Sequence, residues 1–383
     1  MSRILVSLVS KQTAPNIFFI RDQTFAPMDQ YLFITTPLME KTERIDHIAS
    51  AAGIREEQLI RVVVEEDNLQ DIHERLSALR LNPKARFFIN LTGGTKIMSI
   101  GVFDFFVQSK LPSEVYYIPF GKNAIQQIYP LKERKSIPLS FRIGLDDYLK
   151  GYGIQILDKR FINNLSKSPE FTRKMLEYFL SNAKFTSQQK RLKNFLYRLR
   201  QQQDRPWFEF AEFPWLKELV DELEMDHIFL DRLAQSEVQY LIGGWLEEYL
   251  YEWIRTELEL PDEAIGNNVR IERKNELGGM VSNEFDVMFT HGNALYVVEC
   301  KTGLGKEQKG LFNNTIYKLS ALKSEFGLAA NAYFFTLANL HDESGQLRPS
   351  YADRANMHQI AVFDRKKIDE QLPALLKRIK ANK

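Results

Sequence analysis

The sequence predicts an α/β chain built on two sheets: a doubly wound one near the N-terminus and a mixed one, flanked by helices, near the C-terminus. Three observations predict it. Over the first 135 residues short β-branched or aromatic runs alternate with amphipathic stretches, an order that makes a parallel sheet covered by helices. From 136 to 235 the chain turns polar and helical in period, and from 236 to 383 strand-like runs return between long helices. A length of 383 residues exceeds one ordinary core and suffices for two, which fits this three-part division.

In the first part the strand-like runs are Ile4–Ser10, Tyr31–Thr35, Ile60–Val64 and Arg86–Asn90, with helices over 40–52 and 68–81. Glu114–Pro119 and Ala124–Tyr129, joined by Gly121-Lys122-Asn123, read as a hairpin that closes the sheet. The middle part holds a basic, glutamine-rich stretch, Gln188–Gln203, and a break at Arg205–Trp215. It reads as a connecting helical module, with a winged-helix DNA reader as the alternative. The last part runs helix Val238–Leu258, strands Val269–Arg273, Glu284–Phe289 and Ala294–Lys301, a helix from Gln308 to Phe326, then strands Ala332–Leu337 and Gln359–Asp364.

Composition removes several function classes. No stretch approaches the roughly 20 apolar residues of a membrane helix, and the N-terminal run has no cleavage site, so a cytoplasmic protein is expected. A lone Cys300 excludes an internal disulfide framework and a multi-cysteine zinc site, so any metal must rest on carboxylates. With 51 Lys+Arg against 50 Asp+Glu, nucleic-acid binding would have to come from local patches.

The sharpest constellation is Asp286 on one strand with Glu299 and Lys301 on the next. Glu299 and Lys301 are two apart and share a face. With residues 290–293 as the hairpin loop, Asp286 lies opposite Val297 and diagonal to Glu299, roughly 7–8 Å away. Asp286, Glu299 and the Cys300 carbonyl suit a hard cation, Mg²⁺ or Mn²⁺, with positions left for a phosphate oxygen and a water. Lys301 would orient the water, help deprotonate it, or offset charge on the phosphate.

On these residues, segment 238–326 resembles the PD-(D/E)xK superfamily of restriction-type nucleases. Phe285 stands where the motif has proline. The resemblance implies phosphodiester hydrolysis and a helical acid, for which Glu247 is the better match and Glu248 the adjacent alternative.

A second site is expected in the first part. Arg86–Asn90 runs into Leu91-Thr92-Gly93-Gly94-Thr95-Lys96 and a helix, so glycines and free amides can approach an anion while Thr92, Thr95 and Lys96 add donors and charge. The first strand ends in Ser10-Lys11-Gln12-Thr13-Ala14-Pro15-Asn16, where Ser10, Gln12, Thr13 and Asn16 would face the same pocket. There is no complete Walker loop or dinucleotide fingerprint. These two loops are similar to those of the CRISPR-associated Rossmann fold domain, a sensor of cyclic oligoadenylates, over about 1–135.

Taken whole, the chain resembles the CRISPR ancillary nucleases of type III antiviral defence. That resemblance implies a homodimer sharing one cyclic ligand, usually cyclic tetra-adenylate, which activates cleavage or nicking of DNA, single-stranded or supercoiled, with RNA as a further substrate. The rival is a ligand-sensing transcription regulator with an inactive C-terminal domain; the intact Asp286, Glu299 and Lys301 argue against it. A sensor that degrades its own ligand lacks a clear base in either loop.

Other features have plainer readings. Arg354…His358 misses a metal-free ribonuclease motif by one residue, and Cys300 alternates away from the acids. Trp245, Tyr249 and Trp253 fall at core spacing, and Lys306, Lys309 and Lys318, which could contact a nucleic-acid backbone, read more simply as solvated.

Overall fold

A computed structural model describes residues 1–130, 136–160, 169–180, 239–275, 278–303, 308–365 and 367–381, with scattered positions between 201 and 237. In the first domain β1 (Arg3–Leu8) is followed by α1 (Ala14–Arg21), β2 (Gln30–Thr35), α2 (Pro37–Lys41), α3 (Arg44–Ala52), β3 (Leu59–Val63), α4 (Leu69–Ser77), β4 (Arg86–Asn90) and α5 (Lys96–Gln108). β5 (Ser113–Tyr117), β6 (Ala124–Tyr129) and β7 (Ser136–Pro138) complete a seven-stranded sheet of order β3-β2-β1-β4-β5-β6-β7. The first five strands of that order are parallel and the last two run antiparallel. Residues from Ile4 to Leu8 are buried on both faces, as a central parallel strand requires. Chain direction across the sheet reverses between β1 and β4, so the loops after these two strands flank the switch point where such folds bind ligands.

α6 (Leu145–Gly151) then leads into β8 (Ile154–Arg160), which pairs with a strand of the second sheet. β7 and β8 fall where the period reads as helical. Among the described residues each is an edge strand with a single partner, and at β8 the inward positions are Ile154, buried, and Ile156, packed against the core. The three residues of β7 are too few to show an alternation, and β8, with polar residues among its isoleucines, lies against a helical background. α7 (Pro169–Leu180) packs against the C-terminal domain, and β9 (Trp207–Glu209) pairs antiparallel with β10 (Arg232–Ala234). Apart from Gln201, the Gln188–Gln203 stretch lies outside the described residues.

The second sheet is mixed. A π-helical turn, Tyr240–Gly244, opens into α8 (Trp245–Leu258). Then come β11 (Ile265–Lys274), β12 (Met280–His291), β13 (Ala294–Lys301), α9 (Gln308–Glu325), β14 (Ala330–Thr336), α10 (Pro349–Met357), β15 (Ala361–Phe363) and α11 (Ile368–Ala381). The order is β15-β14-β13-β12-β11-β8, parallel from β15 to β13 and antiparallel beyond. α9 covers one face through Phe312, Ile316 and Leu319, while α8 and α11 cover the other through Trp245, Leu250 and Leu372. Tyr249 and Trp253 are partly buried against that second cluster.

One apolar cluster crosses both halves, from Leu5 and Phe33 through Tyr148 and Leu149 to Val297 and Phe326. Polar contacts reinforce it: the Tyr148 hydroxyl donates to the Phe326 carbonyl at 2.9 Å, and Thr290 Oγ1 donates to the Ile143 carbonyl at 2.8 Å. Among the described residues no helix is long and apolar enough to cross a membrane.

Candidate active site and sensor loops

The β12–β13 hairpin turns through two residues, Gly292 and Asn293, both at positive φ, the backbone of a tight hairpin turn. The four-residue loop expected from the sequence is therefore corrected. Thr290 and His291 pair with Leu295 and Ala294, and the ladder continues through Val287 and Val298. One step further places Asp286 across from Glu299, not across from Val297. Thr290 is polar yet buried, its hydroxyl accepted by the Ile143 carbonyl in the connection before α6.

At this end the two strands part. The Cys300 amide, free of the ladder, donates to Asp286 Oδ2 at 2.5 Å. Lys301 Nζ lies 3.4 Å from Asp286 Oδ2 and 3.2 Å from Glu299 Oε2. Glu299 is 2% exposed and Asp286 8%, so both carboxylates are almost out of water. Burial, then repulsion from Glu299 and Glu247, holds the Asp286 carboxyl well above the usual range. Glu247, in the first turn of α8, is pushed up to about 6, chiefly by burial, and its field reaches Lys301 and Glu299. Burial opposes the Lys301 charge, but Asp286 and Glu299 more than offset it, so its ammonium is held more firmly than usual.

Of the two helical acids, Glu247 is brought into the field of this site. Glu248 is buried on the core side, where it meets the Tyr240 hydroxyl. Cys300 is buried among Val298 and Phe335, with its thiol pushed up by burial. Lys318, solvated in the sequence reading, reaches this site instead. On α9 its ammonium contacts Glu299 Oε1, donates to the Glu284 carbonyl at 2.6 Å and sits over the Phe285 ring at 5.0 Å. The available signal was its place beside the buried stripe Phe312, Ile316 and Leu319, where a lysine stem can lie on apolar surface with its charge at the edge. The side chains of Lys306 and Lys309 lie outside the described residues. His358 ends α10, its ring bonded to Ser320 at 2.7 Å, and Arg354 stacks over Tyr317.

Among the described residues no three His, Cys, Asp or Glu side chains enclose an ion as they stand. The donor chemistry nevertheless suits a hard cation. Asp286, Glu299 and Glu247 share one field, and the repulsion that raises Asp286 is what a cation would relieve.

In the first domain the loops after β1 and β4 lie side by side: a Cβ on Gly93 would meet the Leu8 carbonyl oxygen at 2.3 Å, and Gly94 has φ +69°. Thr95 caps α5, accepting from the Met98 amide at 3.2 Å, and donates to the Glu66 carbonyl at 2.7 Å. Thr92 Oγ1 accepts from the Ile118 amide at 2.7 Å. Lys96 and Lys11 are exposed, and Ser10 is partly so. Thr13 and Asn16 are buried and bonded inward, to the Gly151 carbonyl and to Ser7 and the Leu8 carbonyl respectively. Gln12 turns to the second domain, its Oε1 accepting from the Leu328 amide at 2.8 Å.

A doubly wound sheet with a glycine loop at its switch point, joined to a mixed sheet that gathers Asp286, Glu299 and Lys301, has the build of a ligand-sensing domain followed by a restriction-type nuclease core. In a comparison with protein families, residues 4–148 match the Card1 CARF domain and residues 234–375 the Card1-like endonuclease domain. The chain belongs to this family of CRISPR ancillary nucleases. Its fold is shared by protein VC1899 from Vibrio cholerae, 18% identical, with TM-score 0.77 over 99% of this chain and 98% of that one. Can2 from Sulfobacillus thermosulfidooxidans, solved in complex with cyclic tetra-adenylate, is 23% identical with TM-score 0.70 over 98% and 96%. A type III CRISPR defence DNA nuclease activated by cyclic oligoadenylate is 16% identical with TM-score 0.57, over 99% of this chain and 52% of that one. No curated protein matches the chain.

Proposed function

We propose that this protein is a metal-dependent endonuclease of type III CRISPR defence, activated by cyclic tetra-adenylate and acting on DNA, single-stranded or supercoiled, with RNA as a further substrate. The observation that carries the reading is the convergence of Asp286, Glu299 and Lys301 where β12 and β13 part, with Glu247 in the same field. Asp286, Glu299 and the Cys300 carbonyl would hold Mg²⁺ or Mn²⁺, which supplies charge to polarise a phosphodiester and make water acidic. Lys301, kept cationic by the two acids, orients the attacking water or balances charge on the phosphate. Glu247, with its value near 6, exchanges a proton close to neutral pH.

Ser10, the amides around Gly93 and Gly94, Thr92 and Lys96 form the anion-binding edge of the sensor, with exposed Lys11 beside them; Thr95 caps the helix behind that edge, and Gln12, Thr13 and Asn16 fix the shape of the first loop. A two-fold cyclic ligand fits a homodimer in which each subunit gives the same loops. That Can2 was solved with cyclic tetra-adenylate, and that another neighbour is a DNA nuclease activated by cyclic oligoadenylate, supports this choice of activator and substrate. The test is a substrate panel of supercoiled plasmid, labelled single-stranded DNA and labelled RNA, with Mn²⁺ and with or without cyclic tetra-adenylate. Ligand-dependent cleavage of the DNA substrates is expected; cleavage of RNA alone would overturn the substrate assignment.

A further inference from the structure

We infer that Lys318 is a positioning residue, a latch that holds Glu299 against the entry of the metal until the sensor loop shifts α9. The inference rests on the metal-dependent reading above. Both oxygens of Glu299 are engaged by ammonium groups, Oε2 by Lys301 and Oε1 by Lys318. The second contact therefore competes with a cation for the same oxygen. Lys301 belongs to the same strand as Glu299, whereas Lys318 arrives from α9, so the contact lasts only while that helix keeps its seat. The Lys318 side chain is 35% exposed and can swing into water without opening the core beneath Ile316 and Leu319.

The C-terminal end of α9 is tied to the first domain. The Tyr148 hydroxyl bonds to the Phe326 carbonyl, and the Leu328 amide donates to Gln12 Oε1. Gln12 stands in the loop after β1, four residues past Leu8, whose carbonyl lies against Gly93 at the switch point of the first sheet. From Phe326 back to Lys318 is about 12 Å of helix, a rigid span. An anionic ligand that draws the loop after β1 toward itself loosens Gln12 from Leu328 and unseats the end of α9. Lys318 then leaves Glu299, and the freed oxygen accepts the cation.

The experiment is calorimetric titration of Mn²⁺ into the full chain, with and without saturating cyclic tetra-adenylate, for wild type, Lys318→Met, Lys318→Arg and Tyr148→Phe. In wild type the ligand is expected to raise Mn²⁺ affinity about 10-fold, within the usual range for coupled sites. Lys318→Met should bind Mn²⁺ without the ligand as tightly as ligand-saturated wild type and gain little more, while Lys318→Arg keeps the wild-type gain. Tyr148→Phe should leave affinity for the cyclic ligand unchanged and shrink the gain. Loss of a nearby positive charge alone would raise Mn²⁺ affinity in both states and leave the gain intact, and that result would overturn the latch. So would weaker Mn²⁺ binding by Lys318→Met in both states, or wild-type affinity that ignores the ligand while cleavage still depends on it. Wild type that binds no Mn²⁺ in either state would overturn the metal-dependent reading together with the latch.

Discussion

Asn293, in the turn of the β12–β13 hairpin, donates its side-chain amide to the Asn123 side chain of the first domain at 3.0 Å. The same amide reaches the Phe141 carbonyl at 3.0 Å, and Asn293 Oδ1 accepts from the Ile143 amide at 3.0 Å. One end of the hairpin is thus fastened to the sensor, while Glu299 stands six residues further along β13, about 20 Å of strand away. Asn293 also sits at φ +62°, a backbone that asparagine tolerates better than alanine does.

These two roles separate by substitution. Asn293→Ala should destabilise the chain by about 2–3 kcal/mol, from lost buried hydrogen bonds and from backbone strain. Asn293→Gly, which relieves the strain, should cost about 1 kcal/mol less. Urea unfolding midpoints of the full chain measure both, and equal midpoints for the two variants would remove the backbone part of the argument.

Gly93 is required for a different reason. A methyl group there would collide with the Leu8 carbonyl oxygen, part of the backbone and unable to step aside, so the loops after β1 and β4 must separate. Gly93→Ala is expected to weaken cyclic tetra-adenylate binding at least about 10-fold, the scale of one lost backbone hydrogen bond to a charged group. A titration of the ligand reads this directly, and unchanged affinity would take the glycine loop out of the binding site.

The acids predict a pH profile. Glu247 rises from its ordinary 4.5 to about 6, through burial first and then its acidic neighbours, and Asp286 is raised as well. A carboxyl raised on folding binds protons more tightly folded than unfolded. The stability contributed by Glu247 is therefore complete below 4.5 and is lost as pH rises through about 6. Glu247→Gln should flatten the stability change between those values, and denaturant midpoints across the window would show whether it does.

Much of this was legible in the sequence because alternation and turn chemistry are local. The four parallel strands from β1 to β4 and the Glu299-x-Lys301 pair needed no knowledge of distant partners. What escaped notice depends on such partners. Thr290 reads as loop because the partner of its buried hydroxyl, Ile143, is distant in sequence, and the two-residue turn that pairs it with Leu295 sets the register of Asp286 against Glu299. Gln12 reads as a ligand contact until Leu328 claims its side chain, and Lys318 reads as solvated until α9 folds over Glu299. β8 is harder to read because it carries Gln155, Asp158 and Lys159 in a stretch whose surroundings have a helical period.

The most direct measurement is cleavage of supercoiled plasmid in Mn²⁺ by wild type and by Glu299→Ala, each with and without cyclic tetra-adenylate, alongside a binding titration of that ligand. The account predicts cleavage by wild type only when the ligand is present, and at least about 100-fold less cleavage by a variant that binds the ligand normally. Equal cleavage by both proteins, or ligand binding with no cleavage by wild type, would contradict it.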